Sequence, residues 1–193
     1  MIHIDNNTQI TTSAMWVGAI GRIVTAIGNT PPISLNNKVS SDINLVGYNL
    51  QLAGTAVLVD AERSFSLNKA GNMIQAGGLS AEVAGYILPF SDPNAQQTLF
   101  NIGNEGQALG TSMSFIYSLE RVTTLTNLYN AFGGLLQTIG INMLVIGGFL
   151  PSNSLKRQLF NSIGSWIQAI GAIIQAIAQT MSDSDQSKYQ YIN

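Results

Sequence analysis

Few side chains here can do acid–base, nucleophilic or metal chemistry, and their spacing limits what they could do together. His3 is the only histidine, so a nucleophile–His–carboxylate triad or an imidazole metal site would rest on one residue near the amino end. Cysteine is absent, which removes disulfides, thiolate nucleophiles and thiolate metal sites and leaves the redox compartment undetermined. The ten Asp and Glu are scattered singly apart from Asp60 with Glu62 and Asp183 with Asp185. Those two pairs read as a solvated turn and a polar tail, not as a general acid and base or a metal pair. Glycine-rich pieces such as Gly47-Tyr48-Asn49-Leu50 have neither the preceding strand nor the following Lys of a phosphate loop. The expectation is a non-enzymatic protein with no catalytic residue, no cofactor and no metal.

One polar column does recur: Gln51, Gln75, Gln107, Gln137 and Gln168. A ligand could be read by such amides, but repetition in unit after unit favours a structural role, with side-chain amides bridging adjacent helices. Each Gln lies four residues into an eight-residue phrase that begins and ends on glycine, and six such phrases start at Gly21, Gly47, Gly71, Gly103, Gly133 and Gly164. The first carries Thr25 where the others carry Gln. The closing glycines are Gly28, Gly54, Gly78, Gly110, Gly140 and Gly171.

On a helix of 3.6 residues per turn, offsets 0, 4 and 7 of the phrase fall at about 0°, 40° and −20°, so Gly, Gln and Gly share one stripe. The bulky residues take offsets 3 and 6, and often 2, as in Leu135, Leu136 and Ile139. Each phrase is thus a helix with a thin face and a bulky face. A strand is excluded even for β-branched pieces such as Thr55-Ala56-Val57-Leu58-Val59, because glycines seven apart would alternate between its faces. Small residues continue the heptad in most copies, as in Ala14-Gly21-Gly28 and Gly133-Gly140-Gly147, and Tyr117 breaks it in the fourth. Such a stripe is a seam along which another backbone approaches closely, and that contact must offset the roughly 0.5–1 kcal/mol that each interior glycine costs relative to alanine.

The pattern predicts an all-α protein of six helices near residues 12–29, 41–60, 67–88, 96–119, 126–149 and 155–181. Prolines mark the first, third and fifth links (Pro31-Pro32, Pro89 to Pro93, Pro151), whereas Glu62-Arg63 and Glu120-Arg121 mark the second and fourth. The larger repeat is therefore a helical hairpin, in three tandem copies over about 12–60, 67–119 and 126–181, within one domain spanning 1–181. Residues 182–193 are polar, lose the heptad and read as a flexible tail.

Hydrophobic residues make up 46% of the chain and charged ones 9%, against about 25% charged in an ordinary soluble protein. The solvent-facing surface is therefore expected to consist largely of Asn, Gln, Ser, Thr and Gly. A net charge of −2 with no basic patch argues against nucleic acid. The amino end lacks a basic n-region and cleavage site, so cytoplasmic synthesis without a signal peptide is expected. Membrane insertion is the rival, because Phe132 to Leu150 is a nineteen-residue stretch without a charge. Gln137, Thr138 and Asn142 near its centre favour a buried core helix instead. Trp16 and Trp166 read as core or interface side chains.

At Gly71-Asn-Met-Ile-Gln-Ala-Gly77, Ser165-Trp-Ile-Gln-Ala-Ile-Gly171 and Ala26-Ile-Gly-Asn-Thr-Pro31 the chain resembles a family of repetitive proteins of unknown function from Bacillus and related spore-forming bacteria. The likeness covers most of residues 14–178 and implies neither a catalytic residue nor a cofactor. The expected role is structural: a chain that partners itself, pairing the thin uncharged faces of its terminal hairpins in a filament, lattice or inclusion, with association to spores as one setting. The alternative is a membrane-active helical protein of the pore-former or toxin-like kind. No small-molecule ligand is identified by the residues.

Overall fold

The computed structural model describes residues 6–31 and 37–190. Six helices and no strand form there: α1 (Asn6–Gly28), α2 (Asn37–Ala61), α3 (Leu67–Ile87), α4 (Pro93–Leu119), α5 (Leu125–Gly148) and α6 (Leu155–Gln190). Polar side chains set several starts. The Ser66 hydroxyl accepts from the Lys69 amide, Asp92 from Asn94, and Thr124 from Asn127, satisfying amides that a first turn leaves unpaired. Two ends differ from the sequence expectation. Helix α1 begins at Asn6, not near 12, and α6 runs through the polar stretch expected as a tail as far as Gln190. His3 and residues 32–36, with Pro32 among them, lie outside the described residues.

The closest pairs are α1 with α2, α3 with α4 and α5 with α6, as three antiparallel hairpins. The three hairpins expected from the sequence are present, and the structure adds their closure: α1 also packs along α6 about as extensively as α4 packs along α5, and the six helices form a ring. Among the described residues each helix packs its backbone along its two ring neighbours only, and a hydrogen bond from Arg157 to Gln97 reaches from α6 across to α4. The terminal hairpins therefore have no free end faces, and the argument for end-to-end pairing loses its surface.

The interior is a correction. Its buried apolar residues are mostly small, such as Ala19, Ala26, Ala131, Ala169 and Ala176, with few large ones such as Leu79 and Ile141. Buried beside them are Arg22, Asn44, Gln51, Thr55, Asn72 and Gln107, among other polar side chains. Large apolar side chains instead face outward on all six helices, among them Ile20, Val46, Met73, Leu109, Ile139 and Ile170, each 45–56% exposed. The helix expected as a buried core follows suit, with Phe132, Leu135, Ile139, Ile146 and Phe149 all exposed. A surface of Asn, Gln, Ser and Thr around an apolar centre is thus reversed.

Candidate functional site: glycine seams around a polar cavity

Within each hairpin the glycines face the partner helix backbone. A Cβ placed on Gly21 would stand 2.7 Å from the Gly47 carbonyl oxygen, one on Gly78 2.6 Å from that of Gly103, and one on Gly140 2.5 Å from that of Gly164. Those are the middle rungs of three like ladders. Gly54 meets the Ala14 carbonyl, Gly71 that of Gly110, and Gly133 and Gly171 meet each other. At the third rung the partner is a side chain: Asn44 against Gly28, Phe100 against Gly85, Asn161 against Gly147. These distances are shorter than a methyl group tolerates, so the close approach requires glycine at these points. All three seams close inside one chain.

The same ladders explain the glutamines. The residue four after a glycine lies across the partner's glycine: Gln51 over Gly21, Gln168 over Gly140, Gln137 over Gly171, Gln75 over Gly110, and the Gln107 backbone over Gly78. A Gly-x-x-x-Gln phrase therefore supplies both the gap and the side chain that fills the facing gap. The amides then turn to buried partners. Gln51 Nε2 donates to Thr25 Oγ1 at 3.2 Å, so the first phrase's Thr receives what another Gln would have. Gln137 donates to Gln175, whose own amide donates to the Asn130 carbonyl at 3.1 Å. Gln75 and Gln168 are buried, and Gln107 is buried with its Nε2 unpaired.

Between hairpins, side chains replace backbone contact. Helices α1 and α6 join through Ala19, Ala172 and Ala176 with Met15, Trp16 and Ile173 around them. Polar clips hold this junction along its length: Trp16 Nε1 donates to Thr180 Oγ1 at 3.1 Å, Trp166 Nε1 to Thr30 Oγ1 at 2.9 Å, and Asn29 Nδ2 to Ser165 Oγ at 2.8 Å. Asn44 Nδ2 extends the last clip to α2 by donating to Asn29 Oδ1 at 3.0 Å. The α2–α3 junction stacks Tyr48 on Tyr86 at 5.8 Å between centroids, and Tyr86 meets Phe100 of α4 at 4.8 Å. Both tryptophans thus serve the closure of the ring.

Inside the ring is a cavity of about 320 Å³ to which all six helices contribute. Thr55, Asn72, Gln75, Thr111, Ser114 and Gln137 line it, with Arg22 also on its wall. Sequence reasoning missed this site, although a partial signal was present: the residue after each opening glycine is Arg22, Tyr48, Asn72, Asn104, Gly134 or Ser165, of which Arg22, Asn72 and Gly134 line the cavity. Five of those six are polar and none is a bulky aliphatic. The carboxylates first weighed for chemistry are engaged elsewhere or outside the description. Glu62 accepts from Ser66 and from Asn68 Nδ2 at 2.9 Å, and its carbonyl accepts from Lys69 Nζ at 2.6 Å, which folds the α2–α3 turn. Asp60 is exposed at the end of α2, and for Asp183 and Asp185 only the helical backbone is described. No group of three or more His, Cys, Asp or Glu that could hold a metal occurs among the described residues.

Fold and site together define a class: a closed ring of three glycine-seamed helical hairpins with a polar centre. The chain belongs to a family described as "Family of unknown function (DUF6944)", whose model matches residues 9–176. That span takes in α2 to α5 whole and most of α1 and α6. No curated protein and no solved structure matches it.

Proposed function

We propose that this protein is a membrane-embedded, non-enzymatic helical ring of the pore or carrier kind, holding a polar interior within a lipid bilayer. The observation that carries the reading is the reversal of polarity: amides, hydroxyls and one guanidinium inside, large aliphatic and aromatic side chains outside. In water that arrangement exposes what should be buried; in lipid the apolar girdle meets its own kind, and the polar side chains are better placed inside the ring than against acyl chains.

Charge placement supports it. One end of the ring carries Asp60, Glu62, Arg63, Lys69, Glu120 and Arg121, and the other carries Lys38, Asp42, Asp92, Lys156 and Arg157. Between them residues 43–59, 122–155 and 158–182 contain no charged residue, and the other helices interrupt the band at Arg22, Glu82 and Glu105. Arg22 and Glu82 are buried. Helices α1 to α5 have 23, 25, 21, 27 and 24 residues, or roughly 31–40 Å at 1.5 Å per residue, against a hydrocarbon core of about 30 Å. By length and composition Asn7–Gly28 and Leu125–Gly148 pass as membrane spans. The others fall short on mean hydropathy, as helices do when one face turns polar side chains inward.

One observation favours the other reading, self-association. Glu105 is exposed near the middle of α4, inside the otherwise uncharged band, where a neighbouring copy would cover it better than lipid. In that reading the whole outer girdle is the interface, not the hairpin ends.

Flotation decides between them. The protein, synthesised with phosphatidylcholine–phosphatidylglycerol liposomes, should rise with the lipid through a density gradient and resist extraction at alkaline pH. Ile139→Lys, near the midpoint of α5's exposed face, should weaken that association, since a central lysine costs about 3 kcal/mol of insertion. Ordered particles pelleting without detergent would support self-association, and a dispersed monomer in buffer would overturn both.

A further inference from the structure

Among the described residues the cavity wall holds one cation, and it has no counter-ion. Arg22 is 7% exposed and lines the cavity. Its Nε has no partner, and its Nη1 makes a marginal 3.4 Å hydrogen bond to the Gly18 carbonyl of its own helix. Glu62, the one acidic residue lining the cavity, has both oxygens engaged by Ser66 and Asn68. A second polar atom pointing to a missing partner is Ser114 Oγ, on the cavity wall from α4, buried and unpaired. Around them stand neutral donors from other helices, among them Asn72, Thr111 and Gln137.

A buried guanidinium with an open donor edge, no carboxylate paired to it and neutral hydroxyls and amides around it matches a small anion better than any other ligand chemistry. Its planar fork suits a planar oxyanion in particular. A volume of about 320 Å³ exceeds the roughly 30 Å³ share of one water several-fold, leaving room for such an ion with part of its hydration shell. We propose that the ring's centre is an anion-binding site, with Arg22 as the charged ligand and Ser114 as a neutral donor, selective for small planar oxyanions of the carboxylate class. The site stands whether lipid or other copies cover the outside.

The test uses the full chain purified in mild detergent, with sodium formate and sodium acetate as probes and sodium chloride as the matched-salt control. Calorimetric titration should show saturable binding of formate, and chloride should bind more weakly. Arg22→Gln should weaken formate binding at least about tenfold, a difference of about 1.4 kcal/mol. The same variant should melt no lower than the natural chain in anion-free buffer, because it removes an uncompensated buried charge, and a merely structural arginine would give a lower melting temperature instead. Ser114→Ala, with the cation retained, should bind formate with reduced affinity, which keeps the idea testable if Arg22→Gln does not fold. No saturable heat beyond that of chloride, or equal formate affinity in the natural chain and both variants, would overturn the site.

Discussion

The seams inside hairpins and the junctions between them are two ways of holding helices together in one molecule. In the seams a glycine faces a backbone carbonyl, and the partner helix packs the stem of a side chain, such as Gln51 or Gln168, directly beside it at the middle rungs. In the junctions alanines, indoles, hydroxyls and stacked rings fill the gap, and the chain's clips are single hydrogen bonds. A seam is therefore intolerant of volume and insensitive to the loss of any one polar group. A junction has the opposite sensitivities. Hairpins are accordingly the rigid units, and any change in the ring's diameter would occur at the α1–α6, α2–α3 and α4–α5 junctions, where side chains can repack.

The largest effect expected is from Gly140→Leu, whose first added carbon would lie 2.5 Å from the Gly164 carbonyl oxygen. Overpacking typically costs about 1–3 kcal/mol, and backbone on the far side cannot give way as a side chain could, so the upper end of that range is expected. Thermal melting reads it, and a melting temperature equal to or above the natural one would break the seam description. Leu136→Ala in the same helix is a milder control, because Leu136 is only partly buried and the loss should fall toward or below the low end of the roughly 2–5 kcal/mol of a fully buried leucine.

Neighbouring glycines sharpen the contrast. Gly78→Ala puts a methyl 2.6 Å from the Gly103 carbonyl and 2.8 Å from the Gln107 amide nitrogen, whereas a Cβ on Gly77 meets nothing within 4 Å. Gly78→Ala should lower stability by about 1–3 kcal/mol. Gly77→Ala should raise it by roughly 0.5–1 kcal/mol, the helix-propensity gain at an unhindered site. Matched chemical denaturation of the two variants settles the sign, and like signs would dissolve the distinction between seam and outer face.

At the α1–α6 junction, Thr30→Val removes the acceptor for the Trp166 indole with little change in volume. Thr30 Oγ1 also donates to the Ala26 carbonyl of its own helix at 2.7 Å and accepts from Ser162 at 3.5 Å, so the loss should be about 1–2 kcal/mol at roughly 1 kcal/mol net per hydrogen bond. Tryptophan fluorescence should shift as the indole changes partners, while the hairpins stay intact. A loss as large as that of Gly140→Leu would mean that junctions and seams are equally rigid.

Helix number and most boundaries were legible because glycine spacing, proline punctuation and polar caps are local properties. The α2–α3 link at Glu62-Arg63 and the α4–α5 link at Glu120-Arg121 lie where the charges place them. The end of α6 was not legible in this way: residues 182–190 carry no apolar periodicity, yet they continue the helix begun at Leu155. The partnership of Gly and Gln was only half legible. Both belong to one stripe, but that each Gln fills the space opposite the partner's glycine depends on antiparallel register, which single-helix geometry does not contain.

The sequence by itself determined six helices, their pairing into hairpins and the face on which each hairpin closes, since a heptad of glycines names a face whatever surrounds it. Only the tertiary structure decided that the three hairpins form a ring and that Arg22 and Asn72, each next after an opening glycine, line its cavity. Periodicity is blind to that choice: rotating a helix about its axis preserves every interval, and the same alternation of thin and bulky faces serves an apolar core in water or an apolar girdle in lipid. The choice is made by the angles at which three rigid hairpins meet, and closure turned Arg22, Asn72 and Gln137 toward a shared centre and Ile139 and Ile170 away from it.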